Sequence, residues 1–264
     1  ELVVSWASDR AKDRASGQTS IFDLASTTSS SSAPLENAPK AAATHEYDLR
    51  QKLRLEKEIV GFYLSDHPLK PLRNPARLLA PVSLADVDQL PDKRKVSAIV
   101  MVSVLKVVTT RKGDPMGVLT VEDLSGSCEA VVFPKTYAQL HEYLSEDTRL
   151  LLWATVDRRD EQVQLIIDDC SVVEDLNLVL VTLEARQAGD LAYQAKLRTC
   201  LQSQGSHERV PARSPVVIEL RHQNARRYVR VGHQFRVCDP DATVKALNQA
   251  QFEARREPLM QSLA

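Results

Sequence analysis

The pattern of hydrophobic and polar positions changes its period along the chain. Apolar residues recur at helical spacing over residues 1–16 and again from Tyr47 to Phe62, and both stretches predict helices. After Pro81 the pattern turns into short runs rich in β-branched residues, which predict strands. Five such runs are present: Val96–Val104, Met116–Val121, Cys128–Phe133, Leu150–Val156 and Val163–Ile167.

One helical segment interrupts this series of strands. Within Pro134–Leu144, the residues Tyr137, Leu140 and Leu144 have helical spacing. Three strands, a helix and two strands within about 80 residues are the order and size of an OB-fold, a five-stranded Greek-key barrel. We therefore predict an α+β chain that contains an OB-fold β-barrel of five strands with one helix.

The tail predicts a second, smaller α+β unit. After Asp175 the runs alternate between strand-like and helical patterns. We expect strands at Leu178–Leu183, Pro215–Leu220, Tyr228–Val231 and Phe235–Val237, and helices at Ala188–Leu201 and Asp241–Phe252.

Composition divides the chain into five segments. Residues 25–44 are dominated by Ser, Thr, Ala and Pro, and such a stretch buries too little apolar surface to offset its ordering entropy, so we predict a disordered linker. A helical remnant (1–24) precedes this linker and a helical connector (45–92) follows it. The barrel domain then spans 93–175, and the α+β domain spans 176–264.

Overall composition limits the function classes. No apolar run approaches the ~20 residues that a membrane span needs, so we expect no membrane partner. The four cysteines form no C-x-x-C pair, which argues against a zinc site or a disulfide framework and favours a cytoplasmic location. The formal net charge of −1 predicts no strong field around the whole molecule.

Charge is nevertheless segregated inside the barrel region. Residues 93–112 contain no acid, whereas residues 113–175 contain fourteen acidic and four basic residues. The basic stretch predicts a contact with a phosphate backbone, and a solvated strand edge protected by lysines remains the alternative. The predicted nucleic-acid-binding residues are Lys93, Arg94, Lys95, Lys106, Arg111 and Lys112.

Aromatic residues that could stack on bases are scarce. The barrel region contains only Phe133, Tyr137, Tyr143 and Trp153, and none of them lies on the first two predicted strands. Stacking contributes roughly 1–3 kcal/mol per base, so we expect weak binding of single strands. We expect Trp153 in the core rather than on a stacking platform.

Arginines are concentrated in the tail. Between Arg209 and Arg236 there are seven arginines and a single acid, Glu219. Such a segment fits a second nucleic-acid patch, a docking face for an acidic protein, or a solvated sheet face. We favour protein docking through Arg221, Arg226, Arg227 and Arg230.

The sequence contains no recognisable catalytic constellation. Its close aspartate pairs are Asp86 with Asp88, Asp168 with Asp169, and Asp239 with Asp241, and each fits a cap, a turn or a strand end. Phosphate-binding loops, zinc-protease motifs and nucleophile elbows are absent. We therefore predict no catalytic residue, no metal site and no cofactor.

Several motifs together resemble one family. The run Lys57–Leu69 (Lys-Glu-Ile-Val-Gly-Phe-Tyr-Leu-Ser-Asp-His-Pro-Leu) is similar to the segment before the OB domain of the bacterial DNA polymerase III alpha subunit. Thr109–Met116, Val121–Gly126 and Val131–Pro134 resemble that domain's first turn and its second and third strands. Arg10–Leu24 looks like the region after the family's helix-hairpin-helix domain, the Ser-rich insert suggests a cyanobacterial relative, and Ala154 stands where the family pattern leads us to expect glycine.

The resemblance implies a role in DNA replication. This chain is similar to the carboxy-terminal portion of the family, without the palm domain whose aspartates bind metal for nucleotidyl transfer, so we expect it to be inactive alone. The OB domain would bind single-stranded template DNA. The last domain would contact the clamp loader's tau subunit and other replisome proteins, and the remainder of the alpha subunit is a further expected partner.

Other interpretations stay open at this point. The missing initiator Met fits a truncated chain. The main alternative is a stand-alone OB-fold module that binds proteins or single strands without a polymerase role. An anticodon-binding module of a synthetase shares the barrel order, while a self-sufficient polymerase is opposed by the missing palm carboxylates.

Overall fold

The computed structural model describes residues 2–16, 47–159, 162–205, 212–223 and 225–260. Its contacts divide the chain into two units, Glu1–Tyr63 and Leu64–Ala264. The predicted linker over 25–44 lies outside the described residues.

The first unit contains two helices where the periodicity predicts them. Helix α1 spans Leu2–Ala15, and helix α2 spans Leu49–Val60. Asp48 caps α2 by accepting a 2.7 Å hydrogen bond from the Gln51 N–H. The helix ends at Gly61, whose φ of 89° is the left-handed conformation that glycine adopts without strain.

The second unit opens with a connector that is tied to the barrel. It contains 3-10 turns at Lys70–Leu72 and Leu84–Gln89, with helix α3, Arg73–Leu79, between them. The His67 Nδ1 accepts a 3.1 Å hydrogen bond from the Leu69 N–H, so this histidine stabilises its own turn.

Five strands form a closed barrel. They are β1 (Lys95–Thr109), β2 (Pro115–Glu122), β3 (Ser127–Val132), β4 (Arg149–Arg159) and β5 (Gln162–Val172). Their order is β1-β2-β3-β5-β4, with β3 and β5 parallel and the other pairs antiparallel. The predicted OB-fold is confirmed.

One long strand takes part in both halves of this barrel. The first half of β1 pairs with β4 and its second half pairs with β2, and the register shifts between Val102 and Val104. The shift means that β1 carries one extra residue at this point. An extra residue of this kind bends a strand and increases its twist, which lets β1 turn from one partner strand to the other. Helix α4, Pro134–Leu140, lies between β3 and β4, and its Leu140 is buried in the barrel core.

The tail folds into a four-stranded sheet with helices. Its elements are β6 (Asn177–Glu184), α5 (Ala185–Gly189), α6 (Leu191–Ser203), β7 (Val216–His222), β8 (Ala225–Arg230), α7 (Pro240–Gln249) and β9 (Glu253–Pro258). The strand order is β8-β7-β6-β9, and only β6 and β7 are parallel. Asp239 caps α7, as predicted for this carboxylate.

Three predictions for the tail are wrong in detail. The helix predicted over Ala188–Leu201 is two helices, because Asp190 accepts hydrogen bonds from the Ala192 and Tyr193 N–H groups and so starts a new helix. The strand predicted at Phe235–Val237 is a 3-10 turn, His233–Phe235, followed by a single bridge from Val237 to Ser214. Helix α7 ends at Gln249 rather than at Phe252, and β9 follows.

Candidate nucleic-acid interface

The outer side of the β1–β2 hairpin is an exposed surface. Residues opposite each other in a strand pair point to the same side of the sheet, and Leu105 pairs with Leu119 towards the core. The alternate pairs therefore point outwards, and we call them the hairpin face: Val104, Lys106, Val108, Met116, Val118 and Thr120. Val104 is 37% exposed and Val108 is 40% exposed, so this face offers apolar side chains around one lysine.

The turn of this hairpin presents two further cations. The Gly113 N–H donates to the Thr110 carbonyl at 2.9 Å, and the Asp114 N–H donates to the Thr110 hydroxyl at 3.2 Å. Gly113 has a φ of 90°, which completes the turn without the strain that a side chain would cause. Arg111 and Lys112 are exposed at its tip.

These three cations have no carboxylate partner in the described part of the chain. No ion pair joins Lys106, Arg111 or Lys112 to any residue that the structure describes. Their charges therefore remain available to a ligand from solution. This availability separates them from most other cations that the sequence singled out.

The other three predicted residues lie at the opposite end of β1. Lys95 and Lys106 are eleven residues apart on one strand, which corresponds to at most about 36 Å at the rise of a β-strand. Lys93, with a φ of 62°, hydrogen-bonds the carboxylate of Asp157, which is buried. This hydrogen bond raises the pKa of Lys93. Arg94 and Lys95 are exposed beside it, so the six residues form two groups rather than one patch.

A different side of the barrel is covered by the α+β domain. Arg236 lies 4.1 Å from the ring of Trp153 and donates a 3.0 Å hydrogen bond to Asp169. Arg213 donates to the same carboxylate at 3.2 Å and lies 4.9 Å from the ring of Tyr143. These contacts hold the tail, with its four-stranded sheet, on strands β4 and β5 of the barrel.

Trp153 is therefore not in the barrel core. Its strand pairs Trp153 with Asp169 on the outer side, and the side chain is half-buried beneath Arg236. The prediction of a core position is wrong because this tryptophan packs between two domains, which local periodicity does not report. The same packing keeps it from acting as a base-stacking platform.

The docking arginines of the tail mostly hold contacts within the chain. Arg230 donates to the Leu79 carbonyl at 2.6 Å and to the Ser97 hydroxyl at 2.8 Å, which joins β8 to α3 and β1. Arg221 and Arg226 lie 3.4 and 3.6 Å from the carboxylate of Glu219. Arg227 is exposed without an ion pair among the described residues, and Arg209 lies outside them.

Glu219 is the centre of a buried charge cluster. Its side chain is 0% exposed, and Arg255 of β9 donates to it at 3.1 Å. Burial raises the pKa of Glu219, whereas the hydrogen bonds and the positive charges of Arg221 and Arg255 together lower it by more, so the net pKa lies below its ordinary value. The local sequence pattern does not indicate this cluster, because Arg255 lies on β9, a strand that was not predicted.

Two further classes of site find no support among the described residues. No group of three metal-ligating side chains lies together in these residues. Of the helices that the structure describes, none combines the length and the apolar character that a membrane span requires.

Comparison with known proteins agrees with the barrel. Residues 97–173 match the model of the tRNA anti-codon family, described as an OB-fold nucleic acid binding domain. The DNA polymerase III alpha subunit of Bacillus subtilis (strain 168) is 34% identical over 139 residues, and that of Halalkalibacterium halodurans is 37% identical over 124 residues. The chain is homologous to the OB-fold region of DNA polymerase III alpha subunits. The resemblance seen in the motifs is confirmed for that region.

The matches leave most of each relative uncovered. The Bacillus match covers 53% of this chain and 12% of the relative, and the Halalkalibacterium match covers 45% and 10%. The alpha subunit of Pseudomonas fluorescens is 25% identical over 217 residues, which covers 76% of this chain and 17% of that subunit. The chain thus spans between 10% and 17% of these three relatives.

Two solved structures are also similar to part of the chain. The mitochondrial single-stranded DNA binding protein Rim1 of S. cerevisiae is 13% identical, with a TM-score of 0.26, over 31% of this chain and 95% of that chain. The second OB-fold domain of replication protein A from Methanococcus maripaludis is 12% identical, with a TM-score of 0.28, over 33% of this chain and 92% of that chain.

Proposed function

We propose that this chain is the carboxy-terminal part of a bacterial DNA polymerase III alpha subunit, of a cyanobacterial type, and that its barrel contacts single-stranded template DNA through the hairpin face. The observation that carries the proposal is the placement of Lys106, Arg111 and Lys112. They share one exposed hairpin, and the described part of the fold leaves them without ion pairs.

The chemistry of this surface fits a backbone contact. Lysine and arginine attract phosphates whatever the base sequence, and the apolar side chains of Val108 and Met116 contact sugars or base edges by van der Waals forces. No aromatic ring lies on β1 or β2 to stack with a base. Binding should therefore be weak, salt-dependent and insensitive to sequence.

A salt titration tests the proposal. We expect the anisotropy of a labelled 20-nucleotide oligo(dT) to rise with added chain, and the slope of log K against log salt to be set by the contacted phosphates. For single strands the slope is about −0.7 per phosphate, so replacing Lys106, Arg111 and Lys112 by Ala should make it shallower by about 2. At low salt the affinity of this triple variant for oligo(dT) should be about tenfold lower than that of the parent chain.

A matched variant controls for the loss of net charge. Arg186, Arg198 and Lys245 are exposed on the tail helices α5, α6 and α7, and replacing these three by Ala removes the same charge. The control should keep the slope of the parent chain. Equal slopes for the two triple variants would assign the binding to overall charge and refute the hairpin site. A separate pair, Arg94→Ala with Lys95→Ala, measures the contribution of the other predicted group.

The remaining roles belong to the same proposal. The chain would be non-catalytic alone, work in the cytoplasm with the rest of the alpha subunit, and dock the clamp loader's tau subunit or other replisome proteins through its α+β domain. The exposed Arg226 and Arg227 support such docking. A pull-down by tau should weaken with Arg226→Glu and Arg227→Glu, and primer extension by the purified chain would overturn the non-catalytic role.

A further inference from the structure

Strand β8 forms an open edge of the second sheet. In the order β8-β7-β6-β9, its partner on one side is β7, and no described strand pairs with its other side. All six residues of β8 are exposed. The strand contacts α3 at its Arg230 end, where that side chain donates to Leu79, so the open stretch is Arg226–Val229.

The register shows which backbone groups face outwards. The Val231 N–H donates to the Val216 carbonyl at 3.1 Å, so these two residues form a hydrogen-bonded pair. Such pairs alternate along antiparallel strands, which makes Val229 and Arg227 the next residues bonded to β7. The N–H and C=O groups of Arg226 and Tyr228 therefore point away from β7. No described residue hydrogen-bonds to them.

The side chains on this edge select the kind of strand that can pair with it. Arg226 and Arg227 are both exposed, and β8 contains no acid. The nearby carboxylate of Glu219 contacts Arg221 and Arg255 and lies 3.6 Å from Arg226, so within the described residues Arg227 is the cation of this stretch without an ion pair. Cations on an edge strand disfavour aggregation through uncharged strands. They also repel the same cationic edge of a second copy. They favour a strand that carries carboxylates.

Apolar contacts are available on both faces of the same edge. Tyr228 is 37% exposed and Val229 is 44% exposed, and consecutive strand residues point to opposite faces. A strand added here would bury both side chains while its backbone pairs with Arg226 and Tyr228. Backbone pairing supplies affinity in such complexes, and the side chains supply specificity.

We propose that the β8 edge binds an extended acidic segment of a partner protein by strand addition, which would extend the sheet to five strands. This deepens the docking role proposed above. It rests on residues other than the hairpin face, so failure of the strand addition and failure of the DNA contact are separately observable.

Nuclear magnetic resonance of the ¹⁵N-labelled full chain tests the geometry first. The amides of Arg226 and Tyr228 should exchange with solvent quickly, while those of Arg227 and Val229 are protected by β7. A ten-residue probe peptide in which Glu alternates with Val between terminal prolines should then bind saturably and protect the Arg226 and Tyr228 amides. Protection of these two amides before any peptide is added would overturn the open edge.

Changes to the backbone separate strand addition from simple charge attraction. Tyr228→Pro removes the side chain and an outward N–H and should weaken peptide binding at least tenfold, whereas Tyr228→Ala removes the side chain, keeps the N–H and should change it less than threefold. On the unsubstituted chain, the peptide N-methylated at alternate residues should also lose at least tenfold. Equal binding of the methylated peptide would refute strand addition.

Charge variants identify the class of partner. Arg226→Glu with Arg227→Glu should abolish binding of the Glu-containing peptide, and a peptide with Lys in place of Glu should bind the parent chain at least tenfold more weakly. If the same double variant lost oligo(dT) affinity while the acidic peptide bound neither form, the edge would be a nucleic-acid surface and the proposal would be wrong.

Discussion

Replacing Asp169 by Asn should loosen the contact between the barrel and the α+β domain. Its carboxylate accepts hydrogen bonds from Arg213 at 3.2 Å and from Arg236 at 3.0 Å. The substitution keeps the shape of the side chain and removes its charge. Two guanidinium groups then face each other across the site without the anion that separates them.

The burial of the three side chains sets the size of the effect. Asp169 is 16% exposed, Arg213 is 22% exposed and Arg236 is 20% exposed. Exposed ion pairs contribute about 0–1 kcal/mol, whereas breaking a fully buried pair costs about 3–5 kcal/mol. A site between these limits should lose about 2 kcal/mol of unfolding free energy. Burial lowers the pKa of Arg236, and the carboxylate of Asp169 opposes this shift, so it offsets part of the desolvation of the guanidinium.

The neighbouring Asp168 provides a matched control. It is exposed and accepts one 2.8 Å hydrogen bond from the Thr155 hydroxyl, which an amide oxygen would also accept. Asp168→Asn should therefore cost less than about 0.5 kcal/mol. The two variants remove the same charge from adjacent positions. Asp169 also accepts a 2.9 Å hydrogen bond from the Cys170 N–H, which an amide oxygen would keep, so the main difference is the contact with the two arginines.

Urea unfolding measures the difference. With a dependence of about 2 kcal/mol per molar urea, a loss of 2 kcal/mol lowers the midpoint by about 1 M. In a Trp6→Phe background the emission reports Trp153, and it should change in Asp169→Asn, because Arg236 lies over that ring. Similar midpoints for the two variants, with unchanged emission, would refute the assigned contact.

Three further predictions concern single positions. Gly113→Ala should cost about 1 kcal/mol in urea unfolding, because its φ of 90° strains any side chain although no atom lies within 4 Å of the added Cβ, and an unchanged midpoint would argue against this turn. The lowered pKa of Glu219 means that its contribution is complete above about pH 4.5, its ordinary value, and is lost as the pH falls through the folded value. Glu219→Gln should thus be less stable at neutral pH and lose stability less steeply in acid, and parallel profiles would contradict the charge cluster. Burial raises the pKa of Cys128 to about 11 and of Cys170 to about 12, so both thiols should resist alkylation at pH 8 until urea unfolds the chain, and fast labelling of Cys170 would contradict its burial.

The barrel could be predicted because its signals are local. Alternating β-branched runs and turn residues such as Gly113 and Gly126 lie within a few positions of each other, and each strand reports its buried face in its own sequence. In the tail sheet, by contrast, the edge strand β9, Glu253–Pro258, was not predicted. Its charged side chains include Arg255, which forms an ion pair with Glu219 of a different strand. Because that partner is distant in the sequence, the local pattern of charged residues predicts a solvated segment instead of a strand.

The candidate site was predicted in part, for a similar reason. The acid-free stretch identified Lys106, Arg111 and Lys112, because turn chemistry places the last two on one hairpin with the first. It also included Lys93, whose partner Asp157 is distant in the sequence and buried. A count of charges along the chain does not distinguish a cation that is free from one that neutralises a buried acid.

The fold therefore redistributes the charge that the sequence segregates. Arg213 and Arg236 of the tail form ion pairs with Asp169 of the acidic barrel. Arg221 and Arg255 form ion pairs with Glu219. Every such pair removes a cation from the set that a ligand could use. Within the described residues, unpaired cations persist on the hairpin and at Arg227 on the β8 edge. A nearly neutral chain can thus keep two separate basic surfaces, because several other arginines are neutralised by the carboxylates of Asp169 and Glu219.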